Sequence, residues 1–380
     1  MTGVYPPRQL AALRLEPSVD AASLREGVSN FGDKAMKAGL FRAPNIIDYT
    51  DVPDPEPAPG DLIVKVHAAT VCGTDIRIFR GRKTAGIRYP SVIGHEFAGE
   101  VVAASKGTRF QVGQRVSVNP AISCGHCASC KRGDENICQN LQAIGYELDG
   151  AFAEYIRVPA RAIAAENVHE IPESLAFEEA SLAEPLACVI NGQDKVSVKP
   201  GDAVVVLGAG PIGLLHVKLA RFSGARKVIV SEPNAARRAA ALSVGADIVV
   251  DPNAEDLLAV VRDQTFGLGA DVVIVAIGVP ALANTALKLV RRSGRVSLFA
   301  GFSANETAAL DVNLIHYSEL IVTGAFGLGR RHFDRALDLL ANKRIDVAPF
   351  VTHRYPLAEI QSALAMAENG SAIKVAIMDT

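Results

Sequence analysis

The chain has 380 residues, enough for two to three domains at about 150 residues each. Lysine and arginine number 39 against 41 aspartates and glutamates, so the formal charge is −2 and nothing general draws the chain toward nucleic acid or a membrane surface. A hydrophobic content of 49% excludes a disordered chain, and six cysteines are too few for a disulfide scaffold of this length.

Residues 1–35 carry scattered charges, show no periodicity and lead into no strand. From Met36 the chain reads as strand, Pro-rich turn and strand, and the alternation over 62–66 suits a half-buried strand. Glycine and proline punctuate the sequence densely to about residue 160, as a β-rich, barrel-like domain requires. From about residue 200 the pattern changes. Short apolar runs stand at 204–207, 228–230, 248–250, 272–277, 296–299 and 320–323, separated by Ala/Leu/Arg-rich stretches such as 234–242 and 280–290. That alternation predicts parallel βαβ units in a doubly wound sheet, and six strands fit a full dinucleotide-binding domain. The longest uncharged stretch, 272–287, is shorter than the roughly 18 apolar residues of a spanning helix and is broken by Gly278, Pro280 and Asn284. No basic, apolar leader opens the chain, so a soluble cytoplasmic protein with reduced thiols is expected, with neither membrane nor nucleic acid among its partners.

Three motifs carry chemistry. In VVVLGAGPIG, the pattern G-x-G-x-x-G falls on Gly208, Gly210 and Gly213 between a strand and a helix-compatible run, with Pro211 and Ile212 inside it. The first glycine permits the tight turn, the second lets backbone approach a pyrophosphate, and the third lets helix pack on strand. Glu232 stands 19 residues after Gly213, just past the next apolar run, where a carboxylate accepts hydrogen bonds from adenosine ribose and repels a 2′-phosphate. NAD is therefore favoured over NADP, although Arg237 and Arg238 follow closely. In CGHCASCKRGDENIC, Cys124, Cys127, Cys130 and Cys138 are spaced to wrap one tetrahedral, closed, structural Zn²⁺; unligated thiols or an iron–sulfur cluster are the alternatives, and His126 is surplus and exposed. Cys72 in VCGTDI and His95-Glu96 in PSVIGHEFAGE supply residue types for a second, open zinc site, but spacing alone does not bring them together.

Taken in order, CGTD, GHEFAGEV, the cysteine lobe, AEPLACV, GAGPIG and SGARKVIVSE resemble the zinc-containing medium-chain dehydrogenases over nearly the whole length from Met36. Glu184, where liver-type alcohol dehydrogenases carry cysteine, is similar to the polyol branch, which includes sorbitol dehydrogenases and their threonine dehydrogenase neighbours. The resemblance implies an α/β chain with a GroES-like β-rich catalytic domain at 36–187, a Rossmann domain at 188–323, and a return of 324–380 to the catalytic domain. Because relatives commonly begin at MKAGLF, it also implies that Met36 is the natural start and 1–35 an extension. It implies one catalytic zinc held by Cys72 and His95 with Glu96 and Glu184 as ligand or water-holding partners, one structural zinc, and NAD on the 208–213 turn. It further implies Thr74 as the start of a proton relay, an alcohol or polyol substrate, and a homodimer or homotetramer joined through the last Rossmann strand. Many relatives complete the relay with a histidine where this chain has Arg77, and an always-charged guanidinium cannot shuttle a proton.

Overall fold

A computed structural model describes residues 35–303 and 306–379. The proposed extension therefore lies, except for Ala35, outside the described residues. Strand begins at Ala35, and Ala35–Ala43 pairs antiparallel with Ile46–Pro53. The segment before the Pro-rich turn is thus two strands, not the one expected. They part at Pro44-Asn45, where Asn45 takes φ +66°, a left-handed conformation that asparagine tolerates better than most residues.

The first large sheet runs in the spatial order Val168–Glu170, Arg115–Val118, Glu96–Ala104, Leu62–Thr70, Lys374–Met378, Val351–Pro356, with Tyr155–Val158 also on Leu62–Thr70. Two of these strands come from the far end of the chain: Lys374–Met378 lies antiparallel to Leu62–Thr70, and Val351–Pro356 lies parallel to Lys374–Met378. This corrects the reading of 62–66, which lie in the strand Leu62–Thr70, as half-buried. It is a central strand covered on both faces, Leu62, Ile63 and Val64 are fully buried, and Lys65 emerges only at its end to pair with Asp379 at 2.6 Å.

The second sheet is all parallel. Ile248–Val250, Lys227–Ser231, Ala203–Leu207, Ala270–Val275, Val290–Leu298 and Ile321–Gly324 lie side by side in that order, the doubly wound arrangement with its switch point beside Ala203–Leu207. Continuous Val/Ile/Leu runs form these strands because helices cover both faces. One strand ends earlier than its apolar run: Ala270–Val275 stops two residues before Ile277, whose side chain leaves the sheet to lie over Gly208. Helix Ala183–Val196 joins the two halves, packing on helices Pro211–Phe222 and Arg330–Ala341. A single apolar cluster runs from Ala98 in the first sheet through Leu186 and Ile190 to Val204 and Val206 in the second. The two sheets are therefore joined through one continuous apolar core.

Candidate active site

Helix Gly73–Phe79 starts at Cys72, whose backbone N–H is taken by the Asp75 carboxylate at 2.8 Å, an ordinary N3-to-N-cap contact. The other Asp75 oxygen lies 3.0 Å from His95 Nδ1. Asp75 is fully buried and so ties the end of one strand to the start of another. With Nδ1 engaged, His95 is left with Nε2 to offer a metal, the usual arrangement of a metal-bound imidazole whose other nitrogen bonds a carboxylate. The ligand atoms of Cys72, His95 and Glu96 lie within 4.8 Å of one another, so three candidates that spacing could not unite share one place.

Glu96 is held from behind. Thr70 donates its hydroxyl to Oε2, and Lys374 Nζ lies 2.7 Å from Oε1. Glu96 and Lys374 are both buried. Burial works against the Lys374 charge, but the Glu96 carboxylate more than restores it and keeps the ammonium charged. Glu184, in the first turn of helix Ala183–Val196, stands outside the group of three. Its Oε1 accepts a long 3.6 Å contact from the Cys188 thiol, and burial, reinforced by the Glu96 charge and opposed by His95, pushes its carboxyl up to about 7. Thr74 is half-buried in the first turn after Cys72, and Arg77 is exposed on the same helix. Asp75, Thr70 and Lys374 were not anticipated from sequence. Asp75 was visible within the CGTD motif, whereas Thr70 and Lys374 carry no local signal.

The cysteine lobe gathers as its spacing requires. Sγ separations are 4.0 Å for Cys124–Cys130, 3.5 Å for Cys127–Cys130 and 3.9 Å for Cys127–Cys138. Tetrahedral ligation with Zn–S bonds of 2.3 Å needs sulfurs about 3.8 Å apart, so the four fit zinc. The sulfurs also accept backbone N–H groups, from Cys124 and Asn140 to Cys138 and from Cys127 to Cys124. Such donors favour thiolate: backbone amides of His126 and Cys127 bring the Cys124 thiol down to about 6. His126 is exposed.

At the glycine turn each glycine has its own geometry. Gly208 takes φ +100°. A Cβ on Gly213 would stand 1.9 Å from the Gly208 carbonyl oxygen, whereas a Cβ on Gly210 would meet nothing within 4 Å. Gly210 is the N-cap of helix Pro211–Phe222, and Ile212 lies in its first turn, so the open space faces free backbone N–H groups, a fitting cradle for a pyrophosphate. Glu232 is buried, with Oε2 accepting the Ala209 N–H at 2.8 Å and Oε1 the Asn234 N–H at 2.9 Å; it therefore fastens the turn as well as bordering the ribose position. Arg238 bonds the Glu232 and Pro233 carbonyls and pairs with Asp251 at 3.0 Å, and Arg237 reaches the Gly370 carbonyl at 3.4 Å.

Residues 58–173 match the alcohol dehydrogenase GroES-like domain and residues 211–342 the zinc-binding dehydrogenase domain. The chain is 38% identical to the L-threonine 3-dehydrogenase of Pyrococcus furiosus over 341 residues, 87% of this chain and 94% of that one. It belongs to the zinc-containing medium-chain alcohol dehydrogenase family. Other members of the family are comparably near. The sorbitol dehydrogenase of Bacillus subtilis is 32% identical over 87% of this chain and 93% of its own. A protein from Sinorhizobium meliloti described as a zinc-binding dehydrogenase, solved bound to NADP, superposes with a TM-score of 0.85 at 36% identity, covering 91% of this chain and 100% of that one. An alcohol dehydrogenase from E. coli CFT073 solved with NADH gives 0.84 at 31%, covering 91% and 99%. The family relationship supports a dehydrogenase acting on CH–OH groups. Among the described residues no helix is long and apolar enough to cross a membrane.

Proposed function

We propose that this dehydrogenase interconverts a secondary alcohol of polyol type and the corresponding ketone, using NAD and one zinc at Cys72, His95 and Glu96. The observation that carries the proposal is the convergence of those three donor atoms within 4.8 Å, backed by Asp75 and Lys374. Zinc bound there supplies Lewis acidity, and a nicotinamide on the 208–213 turn supplies the hydride acceptor. The protein's part is positional. Asp75 fixes the His95 tautomer and the start of the Cys72 helix. Lys374 and Thr70 hold the Glu96 carboxylate at the edge of the group, and Glu184 stands by as the second carboxylate, drawn to Cys188. Thr74 accepts the proton of the substrate hydroxyl as it gives its own hydroxyl proton to water, because Arg77 cannot accept one.

The same reading gives the cysteine lobe a structural zinc and assigns Gly208, Gly210, Pro211, Ile212, Gly213, Glu232 and Arg237 to the dinucleotide. NAD rather than NADP is supported by the buried Glu232 and by the ion pair with Asp251 that already occupies Arg238. The domain limits are proposed at 36–187, 188–323 and 324–380, supported by the return of Lys374–Met378 to the first sheet. A homodimer or homotetramer is proposed through Ile321–Gly324, an edge strand on which Ile321 is exposed, next to exposed Val312 and Tyr317. Cytoplasmic residence is proposed from the reduced cysteines.

A second reading, L-threonine oxidation, is favoured by the 38% identity to L-threonine 3-dehydrogenases. Absorbance of NADH formed from sorbitol, L-threonine and a simple secondary alcohol separates the two. A Cys72→Ala/His95→Ala double variant should lose all NADH formation and still bind NADH; full activity in that variant would overturn the proposal.

A further inference from the structure

The segment 77–83 is strongly basic, with Arg77, Arg80, Arg82 and Lys83, and the fold sends these cations to different places. Arg80 is neutralised by Glu368, with Nε 2.9 Å from Oε1, and also bonds Asn45. The Arg77 carbonyl accepts the N–H groups of Arg82 at 2.7 Å and Lys83 at 3.1 Å. This double bond folds the chain back on the helix that begins at Cys72 and aims Lys83 inward. Its Nζ lies 4.8 Å from the centroid of the Tyr146 ring, and that ring stacks on His95 at 5.2 Å with a 30° interplanar angle. One aromatic ring therefore separates a half-buried ammonium from an imidazole of the candidate zinc site.

Among the described residues Lys83 makes no ion pair. The nearest sequence acid to Tyr146, Glu147, has its Oε2 on the Ala143 N–H at 2.8 Å and its Oε1 against Gly86. The other lysine of the site, Lys374, is committed to Glu96. A half-buried positive charge left without a counter-ion, one aromatic ring from the candidate zinc site, is a recognition group for an anion.

We infer that the alcohol substrate carries an anionic group, a carboxylate or a phosphate monoester, and that Lys83 binds it while the secondary hydroxyl sits at Cys72, His95 and Glu96. This rests on the dehydrogenase reading given above and narrows it from alcohols in general to hydroxy acids and phosphorylated polyols. The Tyr146 ring sets the spacing: hydroxyl on the His95 side, anion on the Lys83 side, a short carbon chain between.

The test compares sorbitol, D-gluconate, sorbitol 6-phosphate and L-threonine as substrates for the zinc-loaded enzyme and its Lys83→Met and Lys83→Arg variants. Calorimetric titration of D-gluconate and sorbitol 6-phosphate into each NADH complex runs in parallel. The wild type should prefer an anionic compound over sorbitol in kcat/KM. Lys83→Met should reduce that preference about ten- to a hundredfold, the range of a lost charge-assisted hydrogen bond, mainly through KM, and Lys83→Arg should restore most of it. Calorimetric affinity for the same anion should fall by a similar factor. The gluconate and phosphate arms identify which anion is read, and a response confined to L-threonine identifies an amino acid. Turnover of sorbitol with an anion preference unchanged in Lys83→Met would overturn the inference and leave the dehydrogenase reading intact. Absence of NADH formation from every alcohol, with Lys83-dependent anion binding retained, would instead refute the dehydrogenase reading. Anion affinity indifferent to residue 83 would refute the role of Lys83 whatever the turnover.

Discussion

The glycine turn allows folding and binding to be separated by two substitutions three residues apart, Gly213→Ala and Gly210→Ala. A Cβ at position 213 would stand 1.9 Å from the Gly208 carbonyl oxygen and 2.9 Å from its carbon. Both are backbone atoms, so relief requires the helix Pro211–Phe222 to move off the strand Ala203–Leu207 rather than a side chain to rotate. Overpacking costs about 1–3 kcal/mol, and a backbone clash this deep belongs at or above the top of that range. For a domain of this size that lowers the melting temperature by roughly 6–12 °C. At position 210 the added Cβ meets nothing within 4 Å, and φ is −68°, which alanine adopts freely. Its thermal stability should therefore change by no more than about 1 kcal/mol. Its methyl group instead occupies the space over the helix N-terminus, so NADH affinity should fall at least about tenfold. Differential scanning calorimetry of the zinc-loaded protein and NADH fluorescence titration, clean because the chain has no tryptophan, read the two effects separately. If Gly213→Ala melts with the wild type, or Gly210→Ala binds NADH normally, the assignment of distinct roles to these glycines is wrong.

Three other outcomes follow from buried charge and sulfur. Lys374→Met leaves the Glu96 carboxylate buried without its cation, so urea unfolding should show a loss of about 3–5 kcal/mol, largely recovered in Lys374→Met/Glu96→Gln; no recovery would refute charge pairing as the cause. His216 is fully buried, and desolvation lowers its ring pKa to about 3 from the model-peptide 6.5, so the unfolded chain binds a proton that the native chain does not. Its contribution therefore falls away as pH drops below 6.5 toward 3, by about 1.4 kcal/mol per pH unit, and urea midpoints at pH 7 and pH 5 should converge in His216→Gln relative to wild type. Mass spectrometry under native conditions should find about two zinc ions per chain, falling to about one in Cys130→Ser/Cys138→Ser with the Cys72 site still loaded.

What the sequence conveys is set by the range over which its signals act. The six parallel strands were legible because each is a short apolar run bounded by its own turn, a property of a few adjacent residues. The hairpin at Pro44-Asn45 was missed because it depends on one asparagine adopting a positive φ, and the burial of 62–66 was underestimated because Leu62 and Val64 share an apolar cluster with residues as distant as Ile360 and Leu364. The cysteine lobe could be read completely, since all four sulfurs lie within fifteen residues. The glycine motif could also be read, because its three glycines and the acid after the next strand answer to one local supersecondary unit.

The open site was only half legible for the same reason. Cys72, His95 and Glu96 could be nominated by residue type, yet the groups that make them a site come from elsewhere in the chain. Asp75 bonds locally to Cys72, but its second bond crosses 20 residues to His95, and the Lys374 contact with Glu96 crosses 278. A carboxylate paired with a buried lysine and a hydroxyl is not free to swing as a solvated one is; its position is coupled to Lys374 and, through the strand Lys374–Met378, to the C-terminal segment. Arg237, five residues after Glu232, is coupled to the same segment, because it reaches the Gly370 carbonyl four residues before Lys374. The C-terminal segment thus touches both the Glu96 group and the helix that follows Glu232. Substitution of Gly370 should show this directly: it has φ +75°, and a Cβ there would stand 2.6 Å from Arg237 Nη2. Gly370→Ala should therefore weaken NADH binding by displacing Arg237, about two- to fivefold for one exposed contact. A combined Arg237→Ala/Gly370→Ala variant should bind no more weakly than Arg237→Ala alone, whereas additive losses would mean that Gly370 acts on the cofactor by another route.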